Sequence, residues 1–437
     1  MPSKALFVIT TFLFALVSCN TKPQTECYYF GSKKLFSSGT AIQNHAKYSN
    51  ETGYGFDFEN KDKVQVKPGI NSFASADVPF YFSVKKPEGN YEVEITFGNP
   101  LVASLTNIKA EARRLLLNNY SLKAGESTSK KFVVNVRSPK IDSNREIKLK
   151  AREENYMNWD NRLTLEFSGT NVAIQKICIR PIDSIRTLFL AGNSTVTDQD
   201  CAPWASWGQM ITAYLDQQIV VANYAESGEA LNTFKARGRL DKIESLLKPG
   251  DYLFIEFGHN DQKQQGEGIG PWLSFSNLLI EYIERARNKG AIPVLITPTQ
   301  RRSFNSNGEI EYTHNDYPAA MRKVAKNYKV PLIDLNEMTK KLYESWGPET
   351  SKTAFVHFDA NTFPGQSKAL ADNTHFSPFG AHEIALCVLN GICDNKLELE
   401  KHIINFDKNY TPYKPNMHQM WKVPMSPRFE STKPDGN

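Results

Sequence analysis

At 437 residues the chain exceeds the usual span of one domain, so two domains are expected. Its make-up, 40% hydrophobic, 23% charged and 11% aromatic, is that of a folded soluble protein. The formal net charge of +5 is spread too evenly to argue for a nucleic-acid partner, although it is compatible with an acidic polysaccharide.

The chain opens with Lys4, an apolar run from Ala5 to Val17, and Ser18-Cys19. A charged start, a short apolar stretch and a small-residue site make a secretory signal over 1–18, too short to span a bilayer. The ending Leu16-Val17-Ser18-Cys19 resembles the bacterial lipobox, which implies lipidation of Cys19 and an exported protein anchored in a bacterial envelope, on the periplasmic side or the cell surface. An ordinary signal peptide that happens to contain Cys is the alternative. No later segment reads as a membrane span.

Residues 24–183 read as strands and turns. Phe80–Val84, Tyr91–Phe97, Lys131–Val136, Leu163–Phe167 and Ala173–Ile179 are rich in β-formers with partial alternation, and turns such as Pro87-Glu88-Gly89-Asn90 separate them. Short strands without regular helices predict an all-β sandwich. Cys27 and Cys178 fall in its first and last strand-like segments, where either a disulfide or two buried thiols fits the sequence.

Near Ile185 the rhythm changes. Thr187–Ala191, Ile219–Tyr224, Asp251–Phe257, Ile292–Thr297 and Val330–Asp334 are apolar strand candidates, with helix-length amphipathic stretches such as 274–289 and 317–329 between them. This alternation over 185–404 predicts an α/β domain with a parallel sheet covered on both faces. Ligands on such sheets bind at the carboxyl ends of the strands. Residues 405–437 are proline-containing without a clear period and read as an extended tail, laid along the surface or disordered.

Polar groups of a particular kind follow the strands. Gly192-Asn193-Ser194-Thr195 comes after the first and Glu226-Ser227-Gly228-Glu229 after the second. Gly258-His259-Asn260-Asp261 follows the third, and Asp372-Asn373-Thr374-His375 lies far downstream, before a helix over Phe379–Asn390. A Ser hydroxyl becomes a nucleophile when a His takes its proton, and the His works best when a carboxylate fixes its tautomer. Ser194, His375 and Asp372 supply that set, with the last two on one loop. The backbone amides of Ser194 and Gly228 and the side chain of Asn260 would be donors to a developing oxyanion. Each has a plainer reading: Ser194 as a helix cap, Gly228 as a turn, Asn260 bonded within its own loop, and His375 as a packing residue. His259 and Asp261 would shape their loop, and His382 is read as structural. Arg301 and Arg302 after the fourth strand would hold a substrate carboxylate or form a solvated pair, and His259 joins them as a substrate-binding candidate. Trp204 and Trp207 fit a sugar platform or the core equally.

These blocks, in this order, resemble the SGNH (GDSL-like) hydrolases. Within that superfamily, Phe189–Val196, Phe257–Lys263, Gly238-Arg239 and Asp372–Ser377 look most like rhamnogalacturonan acetylesterases. Gly53-Tyr54-Gly55-Phe56 in the front half resembles a galactose-binding-like sandwich. The resemblance implies a flavodoxin-like hydrolase domain after the β-sandwich. It also implies a Ser-His-Asp esterase acting on O-acetyl groups of pectic rhamnogalacturonan, with no metal or cofactor, and an acetylated poly- or oligosaccharide as its partner. The alternatives are a broader acetyl-xylan or small-ester esterase, and a carbohydrate-binding lipoprotein with an inactive esterase domain. Two positions depart from the family pattern. Asn193 stands where the family has an acid, and Gly228-Glu229-Ala230 places a Glu beside the expected cleft where Arg-Ser is usual.

Overall fold

The computed structural model describes residues 24–31, 38–69 and 72–435. The leader and Cys19 therefore lie outside the described residues. Among the described residues no helix is long and apolar enough to cross a membrane.

Among the described residues the front half holds twelve strands: β1 (Glu26–Phe30), β2 (Thr40–Ile42), β3 (Tyr54–Asp57), β4 (Gln65–Lys67), β5 (Phe73–Ser75), β6 (Phe80–Lys85), β7 (Gly89–Phe97), β8 (Ser104–Ala110), β9 (Arg114–Leu122), β10 (Thr128–Val136), β11 (Arg162–Thr170) and β12 (Ile174–Pro181). One sheet runs β10-β7-β12-β1-β2, with β5 and β4 alongside β12, and the facing sheet runs β3-β6-β11-β8-β9. Alternation drives the packing: on β7, Tyr91, Val93, Ile95 and Phe97 point inward to meet Phe56, Phe80, Phe82 and Phe167. Cys27 pairs directly with Cys178 across antiparallel β1 and β12, and the two form a disulfide. This resolves the choice that the sequence left open.

The second half carries a fully parallel sheet of β13 (Arg186–Gly192), β14 (Ile219–Asn223), β15 (Tyr252–Glu256), β16 (Ile292–Ile296) and β17 (Leu332–Ile333), ordered β14-β13-β15-β16-β17. This is the 2-1-3-4-5 order of flavodoxin-like folds, as expected. Its helices are α1 (Trp207–Met210), α2 (Leu231–Ala236), α3 (Arg239–Leu246), α4 (Ser276–Asn288), α5 (Tyr317–Tyr328), α6 (Leu335–Thr350) and α7 (Pro378–Asp394). Period-two alternation along β13 sends Leu188 and Leu190 into a core with α1, α6 and α7, and Phe189 and Ala191 into a separate core with α2 to α5. An antiparallel pair, β18 (Phe355–Phe358) and β19 (Leu370–Phe376), leads into α7. Ser377 caps that helix, its Oγ accepting from the Gly380 amide at 3.2 Å.

The two halves are joined by buried cations. Arg114 and Arg137 from the sandwich both reach Asp198, at 2.7 and 3.1 Å. Arg113 donates to the carbonyls of Gln199 and Trp204 at 3.2 and 2.6 Å. Arg239 pairs with Glu153, both fully buried. Residues 405–435 do not simply lie on the surface. Ser426 is buried in the seam, accepting from Lys109 at 2.8 Å and Arg113 at 3.2 Å while its hydroxyl donates to Glu166 at 2.7 Å.

Candidate active site

The first turn after β13 is built by Asn193. Its side-chain oxygen accepts from the Thr195 amide at 3.0 Å, and its carbonyl accepts from the amides of Val196 and Thr197. Only an acceptor oxygen is used there, so Asn does the capping work of the acid found in the family pattern. The turn projects Ser194 from the carboxyl end of the strand, beside the point where strand order reverses between β13 and β15.

Asp372 and His375 sit on β19, rather than on a loop as the sequence implied. Asp372 Oδ1 accepts from the amides of Thr374 and His375 at 2.7 and 2.8 Å, which tightens the strand end and brings Oδ2 to 2.9 Å from His375 Nδ1. Since a carboxylate only accepts, Nδ1 carries the proton. Nε2 is then left to accept from Ser194 Oγ–H, which lies 2.9 Å away. Burial alone would raise the Asp372 carboxyl, but the hydrogen bond and charge of His375 and the two amides outweigh it, holding the group well below the usual carboxylate range. Asp372 is thus an anion that fixes the orientation of the His375 ring. Trp204 stands edge-on to His375, centroids 5.8 Å apart, so it walls the site. Trp207 is core, its indole N–H donating to Glu256 at 2.6 Å.

The Gly228 and Asn260 blocks meet nearby. Gly228 has φ +81°, a left-handed conformation that suits glycine, and a Cβ there would come 2.8 Å from Asp435 Cβ. Gly228 and Asn260 line one cavity of about 370 Å³ with Lys150, Lys263 and Asp435. Gln199 ties this block to the nucleophile turn, its amide donating to the Ser194 carbonyl at 2.9 Å and to Ser227 Oγ at 3.3 Å. One N–H of Asn260 donates to the Glu229 carbonyl at 3.0 Å, and the amide carries a second. Asp261 shapes the loop as expected, accepting from the amides of Leu231 and Gly258, each at 2.9 Å. The Glu229 carboxylate does not face the cleft. It is buried against Lys150 at 3.0 Å and Arg237 at 3.2 Å.

The other candidates pack against or bond to neighbouring parts of the protein. His259 is buried edge-on to His314, and burial with the neighbouring His314 and Arg301 charge holds its pKa well below the ordinary value. Arg301 donates to the carbonyls of Thr313 and His259 at 3.4 and 3.3 Å. Arg302 bonds Ser351 and Asn373, each at 3.0 Å, and its amide donates to the Asn373 carbonyl at 2.8 Å, so it steadies the strand that carries Asp372 and His375. His382 is held by Tyr214, Glu383 and Trp421, away from this chemistry. A cavity of about 910 Å³ lies between the two halves, and none of Ser194, Asp372 and His375 lines it. Chemistry rather than size therefore locates the site.

One residue that motif reading did not single out is Glu256, at the end of β15. Its oxygens lie 2.7 Å from Thr195 Oγ and 2.6 Å from Trp207 Nε1, and burial raises its pKa to about 7 against the hydrogen bonds that lower it. Thr195 Oγ also lies 2.9 Å from Asn193 Oδ1 and has only one proton. A protonated Glu256 can donate to Thr195, which then donates to the Asn193 side-chain oxygen, so each of these three oxygens has a partner. A group whose pKa is raised on folding gives stability that is full below its unfolded value, near 4.5, and is lost as pH rises through 7. The loss is at most about 3 kcal/mol. Glu256→Gln, whose amide makes the same donation, should flatten the pH dependence of the melting temperature across that window. An unchanged profile would assign the dependence elsewhere.

Compared with known proteins, residues 190–381 match the GDSL-like Lipase/Acylhydrolase family. The Bacillus subtilis (strain 168) protein named rhamnogalacturonan acetylesterase RhgT is 45% identical over 222 residues, covering 50% of this chain and 94% of that protein. The chain belongs to this family. It is a carboxylic ester hydrolase. A second protein of the same organism, named probable rhamnogalacturonan acetylesterase YesY, is 37% identical over 220 residues, covering 50% of this chain and 97% of its own length. The uncharacterized esterase YxiM, also from that organism, is 27% identical over 354 residues, covering 78% of this chain and 86% of its own, a span long enough to take in part of the β-sandwich.

Proposed function

We propose that the enzyme removes O-acetyl groups from pectic rhamnogalacturonan by a Ser-His-Asp acyl-enzyme mechanism. The observation that carries the mechanism is the unbroken hydrogen-bonded chain from Ser194 Oγ through both ring nitrogens of His375 to Asp372. The choice of glycan is supported by the names of the 45% and 37% identical relatives.

Ser194 Oγ attacks the acetyl carbonyl carbon as His375 Nε2 takes its proton. The carbonyl oxygen becomes an oxyanion that the amides of Ser194 and Gly228 and the second N–H of Asn260 receive. The intermediate collapses with cleavage of the bond to the sugar oxygen, to which His375 returns the proton, leaving acetyl-Ser194. Water then attacks the acetyl carbon, its proton passing to His375; the bond between the acetyl carbon and Ser194 Oγ breaks, His375 returns the proton to Oγ, and acetate leaves. Asp372 keeps Nδ1 protonated throughout. In this reading the enzyme is exported and held to the envelope through Cys19, with the membrane contacted by the lipid alone.

Acetate release from acetylated rhamnogalacturonan and acetylated xylan, measured side by side, tests it. Release from the pectic polymer at a rate at least tenfold above xylan is expected. Release from xylan or p-nitrophenyl acetate alone would keep the mechanism and overturn the substrate.

A further inference from the structure

The cavity beside Gly228 is basic on the side contributed by the sandwich half. Lys150 Nζ donates to the Ser227 carbonyl and lies 3.0 Å from Glu229 Oε1. Arg152 Nη2 donates to the Ser227 carbonyl at 2.9 Å and to Glu226 Oε1 at 2.6 Å. These bonds fix both cations on the loop that carries the Gly228 amide, and Arg152, 29% exposed, lines an adjoining pocket that shares Asp435 with the cavity beside Gly228. Both residues lie before the strand at which the family match begins, so they come from a part of the chain that the match does not reach.

What fills this corner is a carboxylate from the chain itself. Asp435 Oδ2 is ion-paired with Arg152 Nη1 and lies 3.8 Å from Lys150 Nζ. The segment that delivers it is pinned on its way in. Its Glu430 carbonyl accepts from Trp204 Nε1 at 2.9 Å, and Lys433 Nζ lies 3.3 Å from Asp372 Oδ2. Ser194 is 3% exposed beneath this arrangement. A glycan approaching Ser194 meets this segment, which carries a carboxylate paired with an arginine.

We infer that Lys150 and Arg152 form a subsite for the carboxylate of a uronate residue of the substrate, which Asp435 occupies when no substrate is bound. The inference rests on the pectic reading above for the identity of the uronate. The chemistry fits: Arg152 offers Nη1 to a carboxylate while Nη2 is held by Glu226 and Ser227, Lys150 adds charge, and Gly228 leaves the intervening space open. An acetyl carbonyl seated on the Gly228 amide would put a carboxylate of the same or the adjoining sugar within reach of the pair. The tail carboxylate is then a built-in competitor, so neutral glycans meet a closed site while acidic ones displace it.

Calorimetric titration of the full chain with trigalacturonate, beside the neutral galactotriose, tests the subsite without requiring turnover. Trigalacturonate should bind at least tenfold more tightly than galactotriose, and Arg152→Gln should cut that preference at least tenfold. Asp435→Asn, an exposed change that leaves the cradle intact, should tighten trigalacturonate binding several-fold. Equal binding of the two trisaccharides, or a preference unmoved by both variants, overturns the subsite. Failure of acetate release from the pectic polymer with the trigalacturonate preference intact would instead overturn the acetyl-pectin reading alone.

Discussion

Replacing Ser194 by Ala should lower kcat by roughly four to six orders of magnitude while changing stability by less than about 1 kcal/mol. The hydroxyl makes one side-chain hydrogen bond, to His375 Nε2 at 2.9 Å, and His375 stays anchored through Asp372 at 2.9 Å when that bond is lost. The residual rate would come from the oxyanion donors and binding, which do not depend on the nucleophile. Asp372→Asn gives a sharper check on the arrangement. Oδ1 of the Asn would still accept from the Thr374 and His375 amides, turning its NH2 toward Nδ1. That forces the imidazole proton onto Nε2, where it can no longer accept from Ser194, and a loss of about four orders of magnitude follows. Both are read as initial rates on p-nitrophenyl acetate, with labelling by a serine-directed phosphonate. A Ser194→Ala enzyme that keeps its rate, or still takes up the label at one site, would place the nucleophile elsewhere.

The residues of this chain were legible because the chemistry restricts which side chains can stand there. Ser after the first parallel strand, Gly after the second, Asn after the third and Asp-x-x-His before the last helix each answer a separate chemical need, and the sheet order brings them to one edge. The parallel strands were legible for a related reason: burial on both faces leaves near-continuous apolar runs with few other readings. The sandwich was recognisable as β, but β8 and β9 escaped notice. Both carry charged residues at buried positions, Lys109 and Arg114, which an alternation rule assigns to solvent. Those cations are buried because their partners, Glu166 and Asp198, lie far away in sequence. The path of the last residues escaped for the same reason: Ser426 and Asp435 have no local pattern, and only the seam gives them partners. Local pattern thus announced Ser194, His375 and Asp372, which the fold brings into one hydrogen-bonded chain, while the long-range ion pairs around them have no local signature.

That seam is where the largest stability effect is expected. Asp198 is 1% exposed and lies four residues beyond Ser194, in the same turn. Its Oδ2 receives Arg114 and Arg137 from the sandwich, and its Oδ1 receives Asn223 Nδ2 from β14 at 2.8 Å. Arg137 also packs over Trp159, 5.0 Å from the ring centroid, and burial lowers its pKa to about 10. Removing the carboxylate in Asp198→Ala leaves two guanidiniums without their anion in a dry seam, at a cost of about 3–5 kcal/mol. For domains of this size that corresponds to a fall in melting temperature on the order of 10 °C. Activity should fall with it even below the transition, because the turn carrying Ser194 loses its brace. Pairing the change with Arg114→Met should restore part of the loss, since one of the two orphaned charges is then gone and its volume is kept. A double variant that melts below Asp198→Ala, or an Asp198→Ala protein within 1 kcal/mol of wild type, would show that the sandwich merely adjoins the hydrolase half. The recovery expected here would instead make the sandwich part of the apparatus that sets the nucleophile in place.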